Sequence, residues 1–246
     1  MLPGSGGGDG CPILTRDAVA APEIGSGTWT ARPVHDRRVF GETGLTRPPG
    51  APPNGRVTTP HAVVLVEGNS DAVALQTLAA RTGRDLAAEG VEVVAMQGVT
   101  NTRTFATRYG PRGLGLRLCG LYDLPEATAL RRGLAAAGHP QALEPGGPAR
   151  LGFFACSDDL EDELLRALGT DAAEAVIAAA GEAQSLRLLA GMPAQRGWTR
   201  QQVLRRFLSS RSGRKARYAR LFVQALDPGR VPEPLSAVLD RVSPAA

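Results

Sequence analysis

Carboxylates recur at one kind of place in this sequence. An apolar run, Ala62-Val63-Val64-Leu65-Val66, ends at Glu67, with Asp71 four residues further on. A second apolar stretch, 116–122, ends at Asp123. A third, 151–156, ends at Ser157-Asp158-Asp159-Leu160-Glu161-Asp162-Glu163. If these runs are strands of one parallel sheet, their carboxyl ends share an edge, where α/β proteins build their sites. Carboxylates gathered there repel one another unless a cation offsets them. Oxygen donors of this kind suit a hard ion such as Mg²⁺ or Mn²⁺, and neither thiolates nor imidazoles stand among them. The local alternative is a structural one: Ser70 or Asp71 as a helix N-cap, Asp158 or Asp159 capping the next helix, and Asp162 and Glu163 on its solvent face.

The elements that must carry these residues follow from the apolar pattern. The run at 62–66 is short and rich in β-branched residues, as in a strand buried on both faces. A helix is predicted over 71–82, stopped by Gly83, then a strand over 91–96 closed by Gly98. A helix over 102–109, a strand over 116–122, a helix over 127–137 and a Pro/Gly-rich loop over 139–150 precede the fourth strand at 151–156. Strands alternating with helices give a parallel, doubly wound α/β sheet. From Leu160 onward the period is helical, with helices expected over 160–168, 172–180, 203–208 and 218–226. Residues 1–60, with Gly6-Gly7-Gly8, Pro48-Pro49 and Pro52-Pro53, show no apolar period and read as a disordered tail whose only aromatic anchors are Trp29 and Phe40. The expected organisation is a tail over 1–60, an α/β core over 61–156 and a helical extension over 157–246.

The residues around the first carboxylates carry a resemblance. Val64-Leu65-Val66-Glu67-Gly68-Asn69-Ser70-Asp71 resembles the first motif of the Toprim (topoisomerase–primase) domain, an apolar strand ending in Glu and followed by Gly-x-Ser-Asp. Gly98 matches that family's turn glycine, and Asp123 the first residue of its Asp-x-Asp motif. Spacing and the later helical part are most similar to the OLD (overcoming lysogenisation defect) branch, over roughly residues 61–226. The resemblance implies a Mg²⁺-dependent nuclease, with Glu67 as metal ligand or general base and Asp71 and Asp123 as metal ligands. Leu160-Glu161 resembles the branch's later Leu-Glu pair, which makes Glu161 a ligand, with Asp158 and Asp159 as further candidates. The sequence departs from the pattern at Pro125, which stands where the second Asp would be; Glu126, one residue on, is the substitute. Toprim domains also occur in nucleotidyl transferases and RNA-processing enzymes, and the same carboxylates serve both. OLD-type relatives are often fused to an ATPase. With no Gly-x-x-x-x-Gly-Lys-Ser/Thr in these 246 residues, an ATPase on a separate chain is the implied partner.

The basic residues have their own place. The chain holds 28 basic and 24 acidic residues, a net charge of only +4, so any argument for a DNA or RNA partner rests on distribution. From Arg187 to Arg220 there are ten basic residues and no acidic one. Arg205, Arg206, Arg211, Arg214 and Arg217 are candidates for backbone phosphates, and Tyr218 for stacking on a base. Lys215 is the one lysine among 27 arginines, a compact ammonium kept where a planar guanidinium would not fit. The OLD resemblance gives a late lysine a role against phosphate or transition-state charge, so Lys215 joins Glu67 as a catalytic candidate. A binding subunit without catalysis is the competing reading, motivated by Pro125.

Other chemistries are excluded or weak. His35, His61 and His139 have no Cys or Asp partner at triad spacing. Cys11, Cys119 and Cys156 are too few and scattered for a disulfide framework or a zinc site, and fit a reducing cytoplasm. No run of 18 apolar residues is present, so no membrane span is expected.

Overall fold

The computed structural model describes residues 59–243; the expected tail over 1–60 lies almost wholly outside them. Four strands, β1 (Ala62–Val66), β2 (Val91–Ala95), β3 (Arg117–Asp123) and β4 (Phe153–Cys156), form one sheet in the order β2-β1-β3-β4. Every pairing is parallel. All five residues of β1 are fully buried, which is why that strand reads as an unbroken apolar run rather than an alternating one. Each of its valines, and Leu65, contributes roughly 1.5–3 kcal/mol of burial. β1 and β3 approach closely because β3 carries Gly120, where a Cβ would overlap the carbonyl oxygen of Leu65.

Helices cover both faces. α1 (Asn69–Arg81) lies on one face, and α2 (Thr102–Tyr109) and α3 (Ala127–Ala136) on the other. The segment expected to be a plain loop contains a 3₁₀ turn at Pro140–Leu143 and a single helical turn, α4 (Gly147–Arg150). After β4 come α5 (Leu160–Leu168), α6 (Thr170–Ala179), α7 (Ala183–Ala190), α8 (Arg200–Ser209), α9 (Arg214–Ala225) and α10 (Glu233–Arg241). Two of these, α7 and α10, are absent from the sequence reading. α10 shows a helical stripe, Leu235, Val238, Leu239 and Val242, all buried, but Pro232 and Pro234 at its start mask it.

The helices after β4 are not an appendage hung from the sheet. Val64 and Val66 of β1, Leu75 and Leu78 of α1, and Tyr218 and Phe222 of α9 share one hydrophobic core with Leu235 and Val238 of α10. α1 packs most extensively against α9, and α10 lies against β3 and β4. Arg81 ties α1 to the end of α9 by donating to the carbonyls of Val223 and Leu226. That packing brings the start of α9, with Lys215, over the carboxyl edge of the sheet.

Candidate metal centre and its basic border

Glu67 follows β1 directly, and the chain reverses at Gly68, the N-cap of α1. Asp71 sits at the third position of that helix, not at the cap, and its Oδ2 accepts a 2.7 Å hydrogen bond from the Gly68 N–H. The carbonyl of Glu67 accepts from the N–H of Gly98 at 3.1 Å, which ties the turn after β2 to the end of β1. Gly98 takes φ 115° there, a conformation that favours glycine. The Asn101 N–H donates to the Gly98 carbonyl at 3.1 Å, which closes that turn.

Asp123 ends β3, and a 3₁₀ turn, Leu124–Glu126, follows at once. Pro125 suits the first turn of such a helix because its missing N–H would have no partner there. The turn carries Glu126 back toward the sheet edge, within hydrogen-bonding reach of Glu67. Glu126 therefore stands beside Glu67, the role that its displacement by one residue leaves open. Glu161 comes from the first turn of α5, which Asp159 caps by accepting from the Asp162 N–H at 2.8 Å. Across from it, Lys215 Nζ lies 2.9 Å from Glu161 Oε2.

Glu67, Asp71, Asp123, Glu161 and Lys215 line one open cleft of about 320 Å³. Its electrostatics are those of crowded, partly dehydrated carboxylates. Burial, then Glu126 and the charges of Asp123 and Asp71, push Glu67 up to about 8. Burial, with Asp71, Asp159, Glu161 and Glu126 nearby, pushes Asp123 up to about 7. Burial also raises Asp71, to about 6, although the Gly68 N–H and Lys215 work against it. For Lys215, burial favours the neutral amine, but the bond to Glu161 and the fields of Asp159 and Asp71 win, and its pKa rises. The ammonium is held, and the carboxylates are under strain that positive charge would relieve.

Three buried oxygens at this edge, Glu67 Oε2, Glu126 Oε2 and Glu161 Oε1, accept from no donor among the described residues; the contact of Glu67 with Glu126 joins two carboxyl groups and needs a shared proton or a cation between them. Buried carboxylate oxygens are ordinarily satisfied. Among the described residues no three Asp, Glu, His or Cys side chains are already drawn into a metal cage. The carboxylates face one edge, and the donor set of oxygens alone fits Mg²⁺ or Mn²⁺.

The remaining acidic candidates are engaged elsewhere. Asp158 and Asp159 both pair with Arg205. Asp162 and Glu163 are buried rather than solvent-facing: Arg166 bridges both, and Glu163 accepts from the Ser157 N–H at 2.7 Å. They pin the start of α5.

The basic stretch divides in two. Arg205 is neutralised by Asp158 and Asp159. Arg214 is buried, 5% exposed, paired with Glu182 and stacked over Phe207 at 4.0 Å. Arg217 bonds the same Glu182 at 2.7 Å. Tyr218 is fully buried between Phe207 and Phe222, with its hydroxyl 3.1 Å from Glu182 Oε1, so the expected stacking on a base is corrected: its ring has no open face. Arg206 and Arg211 are exposed and form no ion pair with a described residue. Two residues that matter here escaped the sequence reading. Glu182, five residues before the basic stretch begins at Arg187, serves Arg214, Arg217 and Tyr218 together. Trp198 is exposed beside the site, and its signal was an isolated aromatic residue inside a basic segment.

Comparisons with known proteins agree with this picture. Residues 61–124 match the family model described as overcoming lysogenization defect protein-like, TOPRIM domain. The fold is similar to the C-terminal region of the Xanthomonas campestris pv. campestris OLD protein, with 20% identity and a TM-score of 0.57 over 74% of this chain and 94% of that one. It is similar as well to the C-terminal region of the Burkholderia pseudomallei OLD protein, with 21% identity and a TM-score of 0.54 over 75% of this chain and 99% of that one. No curated protein matches the sequence. Residues 61–124, which bring Glu67, Asp71 and Asp123 to one edge, are thus similar to the OLD-like Toprim domain, and the described chain shares the fold of the OLD C-terminal region.

Proposed function

We propose that this protein is a Mg²⁺- or Mn²⁺-dependent nuclease that hydrolyses phosphodiester bonds of DNA or RNA at the sheet edge. The observation that carries the reading is the set of partnerless buried oxygens on Glu67, Glu126 and Glu161 beside three carboxyl groups whose pKa values are pushed up. A buried polar group left without a partner costs about 1–3 kcal/mol, so three at one edge point to a ligand that completes them. Glu67, Asp71, Asp123, Glu126 and Glu161 would hold the cation, which when bound supplies positive charge against the carboxylates and the scissile phosphate.

The chain's own groups divide the remaining work. Glu67, raised to about 8 by burial and by Glu126 and Asp123, is the carboxyl group assigned to take a proton from an attacking water, which it does in its deprotonated form. Asp71 is kept from rotating away by the Gly68 N–H. Lys215, bonded to Glu161 and 47% exposed, presents its ammonium to a phosphate oxygen in the cleft. Arg206 and Arg211 would hold flanking phosphates. A nucleotide hydroxyl attacking in place of water would turn the same groups to nucleotidyl transfer. The reading adds an ATPase on another chain as partner and the cytoplasm as compartment, where Cys119 and Cys156, buried and free, would stay reduced. No helix among the described residues is long and apolar enough to cross a membrane.

The test pairs calorimetric titration of Mg²⁺ or Mn²⁺ with plasmid nicking, for the wild type and Glu67→Gln. Cation binding with nicking that the variant loses supports the reading. Nucleic-acid binding without cleavage under either cation, unchanged in Glu67→Gln, replaces it with a non-catalytic binding subunit.

A further inference from the structure

A second cleft, of about 340 Å³, adjoins the first and shares Glu161 and Lys215 with it. Its other walls come from one side of α8 along its length and the turn before it: Trp198, Gln202, Arg206 and Ser209. Trp198 is 42% exposed, whereas Tyr218, Phe207 and Phe222 on the neighbouring helices are buried. Its position is fixed. Gly197 takes φ 80°, the Trp198 N–H donates to the Gln195 carbonyl at 3.1 Å, and the next residue, Thr199, caps α8 in a reciprocal box with Gln202. A residue just before a cap often packs back on its own helix as a staple. Such a residue hides its ring, and this one leaves a face open to a cleft bordered by an unpaired arginine and a lysine.

An exposed aromatic face in one cleft with two cations, continuous with the edge proposed to process phosphate, matches an unstacked nucleotide: the ring takes the base, and the cations take the phosphates. Of the acidic members of the wall, Asp159 is paired with Arg205, and Glu161 takes one of the three donors of the Lys215 ammonium, which at 47% exposed keeps the others for a phosphate. We infer that this second cleft is a nucleotide subsite in which a base stacks on Trp198 while Arg206 and Lys215 bracket its phosphates. The inference rests on the nuclease reading for its direction, and it gives the substrate class: nucleic acid that is single-stranded or frayed beside the scissile bond. In a continuous duplex every base is stacked on its neighbours and none can turn onto the ring. Lys215 then links the two clefts, touching the phosphate that joins the stacked nucleotide to the bond being cut.

The experiment uses the full chain carrying Trp29→Phe, so that Trp198 is the single tryptophan. Short oligothymidylate is titrated in EDTA, and intrinsic fluorescence is read alongside anisotropy of a labelled strand. Binding should quench Trp198, and Trp198→Ala should weaken the single strand by about 5- to 150-fold while Trp198→Phe, which keeps a flat ring, loses less. Duplex of the same length should bind more weakly and respond little to Trp198→Ala. Circular dichroism checks that each variant folds. Unquenched fluorescence on a bound strand, or equal single-strand affinity of Trp198→Ala and wild type, overturns the subsite even if plasmid nicking is intact. Quenching and a Trp198→Ala defect without any cleavage uphold the subsite and remove the nuclease reading instead.

Discussion

The carboxyl edge of the sheet and the arginine-rich helices behind it are both dense in like charge, yet they stand in opposite electrostatic conditions. On α8 and α9, Arg205, Arg214 and Arg217 each meet a carboxylate, and Glu182 alone serves two of them and the Tyr218 hydroxyl. At the sheet edge, Glu67, Asp71 and Asp123 meet chiefly one another, and their pKa values rise. Among the described residues only Lys215 reaches across. Charge density by itself therefore says little about function. Charge that is neutralised inside the fold holds helices together, and charge that the fold leaves unneutralised points to something from outside.

The comparison breaks most visibly at Glu67. Glu67→Gln removes the proposed base and one charge from the edge, and nicking should fall by about 10²- to 10⁴-fold. Without cation the same variant should be more stable than wild type at pH 8, because it removes repulsion and a dehydrated charge. Retained nicking would show that the unmet charge is not the working one. On the other side, Glu182→Ala strips Arg214, 5% exposed, of its counter-charge. Breaking one side of a buried pair costs about 3–5 kcal/mol. That corresponds to roughly 6–20 °C in Tm for a chain of this size, read by thermal denaturation. A small shift would mean that the arginines are free rather than structural.

A pH series sharpens the contrast. Glu67, Asp71 and Asp123 bind protons more tightly in the folded chain than unfolded. The folded state thus holds more protons between about pH 4 and pH 8, and stability falls as pH rises through that window. Their contribution is fully present below the unfolded pKa values and is lost as pH passes about 6, 7 and 8 for Asp71, Asp123 and Glu67 in turn. Mg²⁺ or Mn²⁺ binds the deprotonated edge, so it should raise Tm by several degrees at pH 8 and little at pH 5. Equal shifts at both values would locate the cation elsewhere.

The sheet edge was legible in the sequence because strands buried on both faces leave unbroken apolar runs. The residue that ends each run is then fixed on the same side by parallel pairing, as with Glu67 and Asp123. Helix α2 was found to the residue for a similar reason. The partners of the basic stretch were not legible. Glu182 lies 32 residues before Arg214, Asp158 lies 47 before Arg205, and no local period signals either bond. The freedom from acidic residues over 187–220 looked like an open patch, but its counter-charges arrive from outside that window. Tyr218 was misread likewise: one aromatic among arginines carries the same pattern whether the ring stacks on a ligand or on Phe207. The opposite case is Trp198, whose neighbours in sequence say nothing of the cleft it borders. Glu126 is a third case: the sequence named it as the substitute for the missing Asp, and the turn that Pro125 begins, which the Asp-x-Asp spacing did not foretell, carries that carboxylate to Glu67.

The finest division is among the arginines themselves. Arg206 and Arg211 are exposed and unpaired, so each bound phosphate they hold releases counterions to solution. Arg206→Ala should lower single-strand affinity and reduce the slope of log K against log salt by about one. Arg211→Ala should do the same to a lesser degree, because Arg211 lies outside the cleft that Arg206 borders. Arg217→Ala should leave the slope unchanged, since Glu182 already neutralises that guanidinium. The measurement is filter or anisotropy binding across a salt series in EDTA. If Arg217 moves the slope as much as Arg206 does, the ion pair on Glu182 opens to admit phosphate. The boundary between structural and recognising arginines would then lie at Arg214, whose guanidinium is buried against Phe207 and has no path to the strand.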